Sequence, residues 1–536
     1  NIRIVEEFAA SGVGLILTVD NGISAYEPIV RAAELGLSVI VTDHHDIPEK
    51  LPPADAILNP KLLPEVSPYR GLAGVGVAYV LAVATAQSLG KLQGLTNQLL
   101  ELFTLGTIAD LAPLVGVNRR WLKRGLRQLP NSELAGVQAL IQMAGVREEQ
   151  KQLQPDDIGF KLGPRINAVG RIGDPQTVIE LLTTNDPGVA LERAMQCEQI
   201  NRQRQHLCEQ IEQEAIALIE TETTHWQEAR VLVLVRENWH HGVIGIVASR
   251  LVERYGVPTF IGTYEEEDKS KIRGSARGIE EFHIFDALEF CQDLLGKFGG
   301  HKAAGGFSLP AQNLLAFEQR LSKFACQCLK PEYLKPLVNI DAQAKLERLS
   351  LQLYQQIDSL QPWGIGNDFP VFWTPNVRIK EQQIVGKNHL KLTLAEDDSG
   401  VEFKAIAWRW GEHFPLPNRL DLAYKLRENH WNGNASLELE IIGVRSPQFE
   451  TITEEVPPFK SSVSEFYFNG RSYTCSLLNS ANELKIINDR GKVLLISKGK
   501  KVGLLGVDTD DSQRVDVTKP PYYQLVKAAL KAISNK

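Results

Sequence analysis

The sequence predicts an α/β protein of several domains: a parallel-sheet domain, a long connector helix, a smaller α/β domain, a small β-barrel and a β-rich extension. Three observations carry that reading. The chain has 536 residues, more than a single hydrophobic core organises. Over the first 60 residues short apolar runs alternate quickly with amphipathic runs, the pattern of parallel strands joined by helices. From about residue 335 the texture changes to short, aromatic-rich strands separated by turn residues, the pattern of a small barrel.

Taken in order, "NIRIVEEFAA" (1–10) is helix-like, and "VGLILTVD" (13–20) is a short strand ending in a carboxylate. An amphipathic helix over 25–36 closes at Gly36, and the strands "LSVIVTD" (37–43) and "ADAILNP" (54–60) follow. In such sheets ligands gather beyond the carboxyl ends of the strands. Asp20 and Asp43 fall at such ends, and His44 and His45 come directly after. Helical patterns dominate 72–145, with Asp110 in the apolar "LGTIADLAPL". Within them, 71–90 runs twenty residues without a charge, long enough to span a bilayer. Four glycines, Thr85, Gln87 and Ser88 dilute it and no basic flank anchors it, so a buried core helix is expected.

Residues 187–221 read as one long helix, with Ile200, Leu207, Ile211 and Leu218 as its apolar stripe. A second α/β unit follows: strand 231–235, helix 242–255, strand 258–262, then "KIRGSARG" and the glycine-rich "KFGGHKAAGGFSLP" (297–310). In the barrel region five of the eight tryptophans lie between 363 and 431, a candidate stacking surface. Trp363, Phe369, Phe372 and Trp373 are expected in the barrel core, and Trp431, in a turn, is expected to be exposed. A β-rich piece over 464–506 and the helix "YYQLVKAALKAI" end the chain.

The composition is 43% hydrophobic and 23% charged, with formal net charge −7, which excludes a chain coated in positive charge. It leaves room for a nucleic-acid groove in which basic residues are gathered. Six cysteines show no paired ligand spacing and read as reduced thiols of a cytoplasmic protein. No membrane association is expected.

Asp20, Asp43, His44, His45 and Asp110 are together an unusual set. Carboxylates with imidazoles and no cysteine suit manganese, magnesium or zinc, and favour the harder ions. Two such ions about 4 Å apart can hold both the attacking water and the leaving oxygen of a phosphodiester. That needs four or more carboxylates, and this set offers three. By itself Asp20 is a turn residue, because "DNG" is a turn signal, and Asp110 by itself is a buried helix or loop carboxylate. Two adjacent imidazoles at a strand tip are seldom needed for packing. Elsewhere, Gly299 and Gly300 would let backbone approach a phosphate or base closely, with His301 and Lys302 as donors. A tight turn explains those glycines equally well. Lys161, Arg165, Asn167 and Arg171 carry no acid among them and are expected at a nucleic-acid backbone, with solvated surface as the other reading.

With these residues in view, "VTDHH" resembles the signature of the DHH phosphoesterases. "LILTVDNGIS", "GLAGVGVAYVLA", "LGTIADLAPL", "LGPRINAVGRI", "WHHGVIGIVASRL", "KFGGHKAAGG", "PWGIGNDFPVF" and "ENHWNG" follow, in order over 1–447, the bacterial single-strand-specific exonuclease branch of that superfamily. The resemblance implies a DHH domain over 1–186, a connector over 187–221, a DHH-associated domain over 222–330, an OB-like barrel over 335–447 and an extension of unassigned role over 448–536. It implies 5′→3′ exonuclease activity on single-stranded DNA, releasing mononucleotides in repair and recombination, with two Mn or Mg ions.

Asp20, His44 and Asp110 would be metal ligands, His45 would face the scissile phosphate, and Asp43 would orient its neighbours. Ser275 and Arg277 would grip a 5′ phosphate, and Gly299, Gly300 and His301 would line the substrate side. Implied partners are single-stranded DNA and a single-strand-binding protein or helicase, the chain itself being a monomer. The family's Asp-x-Asp motif has no counterpart in 1–19, whose acids are Glu6 and Glu7, and the sequence opens on Asn1. The expectation is therefore an N-terminally truncated chain, with weak metal binding and impaired activity. Two alternatives stand beside the exonuclease: a non-catalytic nucleic-acid-binding scaffold, and a small-molecule DHH phosphodiesterase.

Overall fold

Helix α1 (Ile2–Ala10) leads into strand β1 (Leu15–Val19), and α2 (Tyr26–Glu34) crosses to β2 (Ser38–Thr42), which is followed by β3 (Ala56–Leu58). The sheet is parallel in the order β1-β2-β3, with Val19 opposite Thr42 and Thr42 opposite Leu58. That register sets the next residues, Asp20, Asp43 and Asn59, side by side at one end. The Asp20 and Asp43 amides continue the ladder onto the Thr42 and Leu58 carbonyls at 2.9 and 3.0 Å. β1 is an edge strand, and Leu15, Leu17 and Val19 on its open face are about half exposed.

The computed structural model describes residues 1–146, 152–221, 226–335, 337–386, 388–397, 400–431, 434–447, 464–478, 483–497, 500–506 and 513–534. The chain falls into two units, Asn1–Pro447 and Gln448–Lys536.

Helices α3 (Gly74–Ser88), α4 (Leu95–Ala109), α5 (Gly116–Gln128), α6 (Ala135–Met143), α7 (Gly163–Ile172) and α8 (Gln176–Thr183) complete the first domain. Their core gathers Leu72, Phe103, Leu122, Leu126, Leu140, Ile158 and Val169. Helix α3 is fifteen residues long and is buried mainly over its first turns, so the expected core helix is only half realised. No helix among the described residues is long and apolar enough to cross a membrane.

Helix α9 (Pro187–Thr221) is the expected connector, with a different seam. Ala190, Ala194, Cys197, Asn201, Cys208, Ile211, Ala215 and Ile219 are its buried residues, while Ile200, Leu207 and Leu218 sit at the margin. Small side chains in the seam let the backbones of neighbouring helices come close. The spacing of large apolar residues alone could not show this.

A helical turn α10 (Trp226–Ala229) opens the next domain, whose sheet runs β4-β5-β6-β8-β7. Its strands are β4 (Leu232–Val235), β5 (Thr259–Tyr264), β6 (Lys271–Arg277), β7 (Phe298–Gly300) and β8 (Ala304–Pro310). Helix α11 (His241–Tyr255) packs in one core with the C-terminal half of α9. Helices α12 (Ile284–Phe290) and α13 (Leu314–Cys328) share a second core with Phe260 and Phe307.

The barrel contains β9 (Ala342–Gln343), α14 (Leu351–Asp358), β10 (Phe372–Val385), β11 (His389–Ala395), β12 (Glu402–Ala407), β13 (Arg419–Trp431) and β14 (Asn434–Arg445). Strands β11-β12-β14-β13-β10 form a ring that closes where β10 pairs back onto β11. Closure removes the open edges that a flat sheet of this size would leave.

In the second unit β15 (Ser464–Phe468), β16 (Arg471–Leu478), β17 (Glu483–Asn488), β18 (Val493–Ser497), β19 (Val502–Gly506) and β20 (Gln513–Asp516) form a sheet in sequence order. Helix α15 (Tyr522–Ser534) shares its core, with Ala529 and Cys475 buried together.

Candidate active site

The tips of β1 and β2 meet the end of α4. The Asp20 Oδ1 atom lies 2.9 Å from His44 Nε2, and Asp110 Oδ2 lies 3.8 Å from the same nitrogen. Asp20 adopts a left-handed backbone conformation, φ 63°, that an apolar residue would rarely tolerate. Asp110 caps the C-terminus of α4. Burial, ahead of the charges of His44 and Asp20, pushes its carboxyl above the ordinary range. The donor atoms of Asp20, His44 and His45 all lie within 4.8 Å of one another. Asp110 stands outside that mutual cluster and approaches it through His44 alone; carboxylate and imidazole donors of this kind fit a divalent ion with a preference for oxygen and nitrogen.

Asp43 does a different job. It is 1% exposed and accepts hydrogen bonds from the amides of Ile23, His44 and His45 and from the His45 ring, the last at 2.6 Å. Burial pushes its carboxyl up, but these bonds outweigh that and hold it below the usual range. An ionised carboxylate only accepts, so His45 Nδ1 must carry the hydrogen and its Nε2 is left free. Asn59 supports the same turn by donating to the His45 carbonyl at 2.9 Å. His45 is thus aimed by its neighbours, and Asp43 orients the adjacent imidazole.

In the second domain Ser275 and Arg277 lie on β6, and Arg277 Nη1 donates to Ser275 Oγ at 3.1 Å. Arg171, at the end of α7, and Arg204, on α9, stand in the same electrostatic neighbourhood. Burial, and then the charge of Arg171, lowers the Arg277 pKa; burial, and then Arg204, lowers that of Arg171. Among the described residues no acid pairs with Arg171 or Arg277. Arg277 is half-buried and Arg171 is open to solvent, and guanidinium groups left without a counter-ion make a ready anion site. The backbone of α11 crosses against this pocket. A Cβ on Gly245 would stand 2.8 Å from Ser275 Oγ and 2.9 Å from Arg277 Nη2.

The two sides are tied together. His301, following β7, places Nδ1 2.5 Å from Asp46 Oδ2, and Lys61 holds the same carboxylate. Gly300 packs against the Ala304 carbonyl, whereas a Cβ on Gly299 would meet nothing within 4 Å. Only Gly299 therefore leaves its face open to a ligand.

Other expected contacts have different places. Arg165 forms an ion pair with Glu198 at 2.8 Å, both side chains 13% exposed, and donates to the Lys161 and Met143 carbonyls. Its guanidinium is committed to packing α7 on α9. Lys161 pairs with Asp157. Asn167 donates to the Ala109 carbonyl at 3.0 Å, next to Asp110, so it positions a ligand candidate. Trp363, Phe369 and Phe372 pack on the barrel core. Trp373 lies outside it under Arg445, in a cleft shared with Trp408 and Trp410. The side chain of Trp431 is outside the described residues.

Sequence reasoning did not single out Arg204, Asp46 or Gly74. Asp46 directly follows the two histidines, which was the available signal. Gly74, at the start of α3, is where a Cβ would stand 2.3 Å from Asp20 Oδ1.

Comparison with known proteins matches three family models: "DHH family, N-terminal domain" over 4–107, "DHHA1 domain" over 228–329 and "RecJ OB domain" over 340–443. The single-stranded-DNA-specific exonuclease RecJ of Haemophilus influenzae is 34% identical over 458 residues, covering 82% of this chain and 79% of that protein. The chain belongs to the RecJ family. The RecJ of Bacillus subtilis is also 34% identical, and this chain spans 54% of its length. A crystal structure of RecJ from Thermus thermophilus with Mn2+ superposes with a TM-score of 0.72 at 30% identity, over 84% of this chain and 64% of that one. A second Thermus RecJ structure contains Mg2+, and both ions accord with the oxygen and nitrogen donors at Asp20, His44 and Asp110.

Proposed function

We propose that the chain is a metal-dependent exonuclease that removes mononucleotides from the 5′ end of single-stranded DNA. The observation that carries this reading is the pairing of a carboxylate–imidazole cluster with an acid-free arginine pocket, held together by α7. Asn167 secures the chain beside Asp110, and Arg171, one helical turn later, enters the arginine pocket. Four residues of helix span about 6 Å along the axis, which fits one nucleotide between an anchored 5′ phosphate and the scissile one.

Asp20, His44 and Asp110 would hold the ions, which when bound supply Lewis-acid charge and lower the pKa of water. His45, its tautomer fixed by Asp43, presents Nε2 to the scissile phosphate. Ser275, Arg277 and Arg171 anchor the terminal phosphate. The open face of Gly299 and the donors of His301 border the strand between. The six cysteines are free, as a cytoplasmic setting in repair and recombination requires, where a helicase or single-strand-binding protein would present the strand.

A second reading, a non-catalytic single-strand-binding scaffold, is favoured by charge: Asp20 and Asp110 offer two negative charges against the four positive charges of two ions. Incubation with manganese and a labelled single strand separates the two. Loss of nucleotides from the 5′ end supports the nuclease. A strand that is bound but left intact supports the scaffold.

Arg277→Ala tests the anchor. Loss of a charge-assisted contact worth about 1.5–3 kcal/mol should weaken binding of 5′-phosphorylated strands about 10–100-fold, with 5′-hydroxyl strands changing little. Competition binding with the two strand types measures it; equal losses on both refute the anchor.

A further inference from the structure

Helix α5 carries a feature that the candidate site does not use. Its sequence, "GVNRRWLKRGLRQ", contains no acid. Val117, Leu122, Gly125 and Leu126 face inward, and a Cβ on Gly125 would stand 1.8 Å from Thr104 Oγ1 and 3.2 Å from the Leu100 carbonyl. Helix α5 is thus pressed against α4 and runs antiparallel to it. The outward face presents Arg120, Lys123, Arg124 and Arg127, all exposed. The spacing i, i+3, i+4, i+7 places them in one stripe.

Among the described residues none of the four forms an ion pair, although the chain carries net charge −7. Other surface cations are paired: Arg193 with Glu180 and Arg202 with Glu198. Arg119, on the same helix, is spent on structure through Asn367 and the Leu360 carbonyl. Like charges at these spacings repel one another along the helix, and a polyanion laid over them relieves the repulsion.

Asp110 caps α4 and α5 begins six residues later, so the stripe starts near the candidate centre and leads away from it. Arg120 and Arg127 are seven residues apart, about 10.5 Å along the axis, long enough to meet successive phosphates. The contacts of Arg119 put the start of the stripe beside the loop that leads into the barrel. We propose that the exposed face of α5 is a second, sequence-independent track for the phosphate backbone of single-stranded DNA, engaging the strand 3′ of the scissile bond. This rests on the nuclease reading for the identity of the polyanion. The track would favour long strands over short ones.

The test uses the whole chain with Arg120, Lys123, Arg124 and Arg127 all replaced by Gln. Affinity for a long labelled single strand is measured by anisotropy across a salt series without divalent ions. A control of equal net charge replaces Lys269, Lys323, Lys335 and Lys345 by Gln. The slope of log affinity against log salt should fall by about 2.8, the yield of four single-strand phosphate contacts. The affinity advantage of a long strand over one that only fills the cleft should also shrink. The pairs Arg120/Arg124 and Lys123/Arg127, replaced separately, should each lose about half that slope, which secures the result if the quadruple variant folds poorly. A slope like that of the parent or the control overturns the proposal. So does an unchanged long-strand advantage, including when binding of an acidic protein tail is lost instead. Because the slope is read without ions, it tests the track alone; a parent that binds the strand here and leaves it intact once manganese is added sinks the nuclease reading and leaves the track standing.

Discussion

Gly74→Ala is expected to remove most of the manganese affinity of the chain while leaving its fold in place. The Cβ of the new residue would stand 2.3 Å from Asp20 Oδ1 and 2.8 Å from Asp20 Cγ, well inside contact distance. Asp20 cannot retreat as a whole, because its amide is bound to the Thr42 carbonyl at 2.9 Å. Its carboxylate must rotate instead, away from the 2.9 Å contact with His44. Disturbing the support of a metal ligand costs about 10–100-fold in affinity, and displacing the ligand itself should reach the upper end of that range. The packing cost is about 1–3 kcal/mol, partly offset because Ala favours a helix more than Gly does. Calorimetric titration with manganese beside a thermal melt separates the two effects. An alanine variant that binds manganese like the parent would overturn this expectation, and Asp20→Asn would then test the ligand itself.

His45→Ala should act on turnover. With Nδ1 held by Asp43 and Nε2 left for the substrate, its loss should lower kcat about 10²–10⁴-fold with manganese affinity kept within a few-fold. The geometry makes this a sharp test, since His45 lies within ligand range of Asp20 and His44. If the variant loses manganese as well, His45 is a ligand and the division of labour proposed here fails.

The strand tips were legible in the sequence because polar chemistry at the end of an apolar run stands out, and because a parallel sheet sends successive strands to the same end. Asp20, Asp43, His44 and His45 were found that way. The barrel was legible from evenly spaced short strands, and its closure through β10 and β11 accords with that pattern. What escaped was anything decided by approach between distant segments. Arg165, Asn167 and Arg171 look alike as a basic run, yet Glu198 claims the first, the Ala109 carbonyl the second, and only the third reaches the arginine pocket. Gly74 looks like one more small residue in a glycine-rich helix, and its meaning depends on a carboxylate 54 positions earlier. The buried seam of α9 was misplaced for the same reason: alanine and cysteine carry little weight in a hydrophobic pattern but allow the closest packing.

That seam has a consequence for how the molecule comes apart. The N-terminal half of α9 contributes Ala190, Ala194 and Cys197 to the core of the first domain, and its C-terminal half contributes Cys208, Ile211, Ala215 and Ile219 to the next. A continuous helix cannot melt at one end without exposing apolar surface that belongs to a neighbour. The two domains therefore share part of their stability and should lose structure together in a single cooperative transition. A protease would find few places to nick between them, and dividing the gene within 187–221 would leave two pieces each missing a wall of its own core.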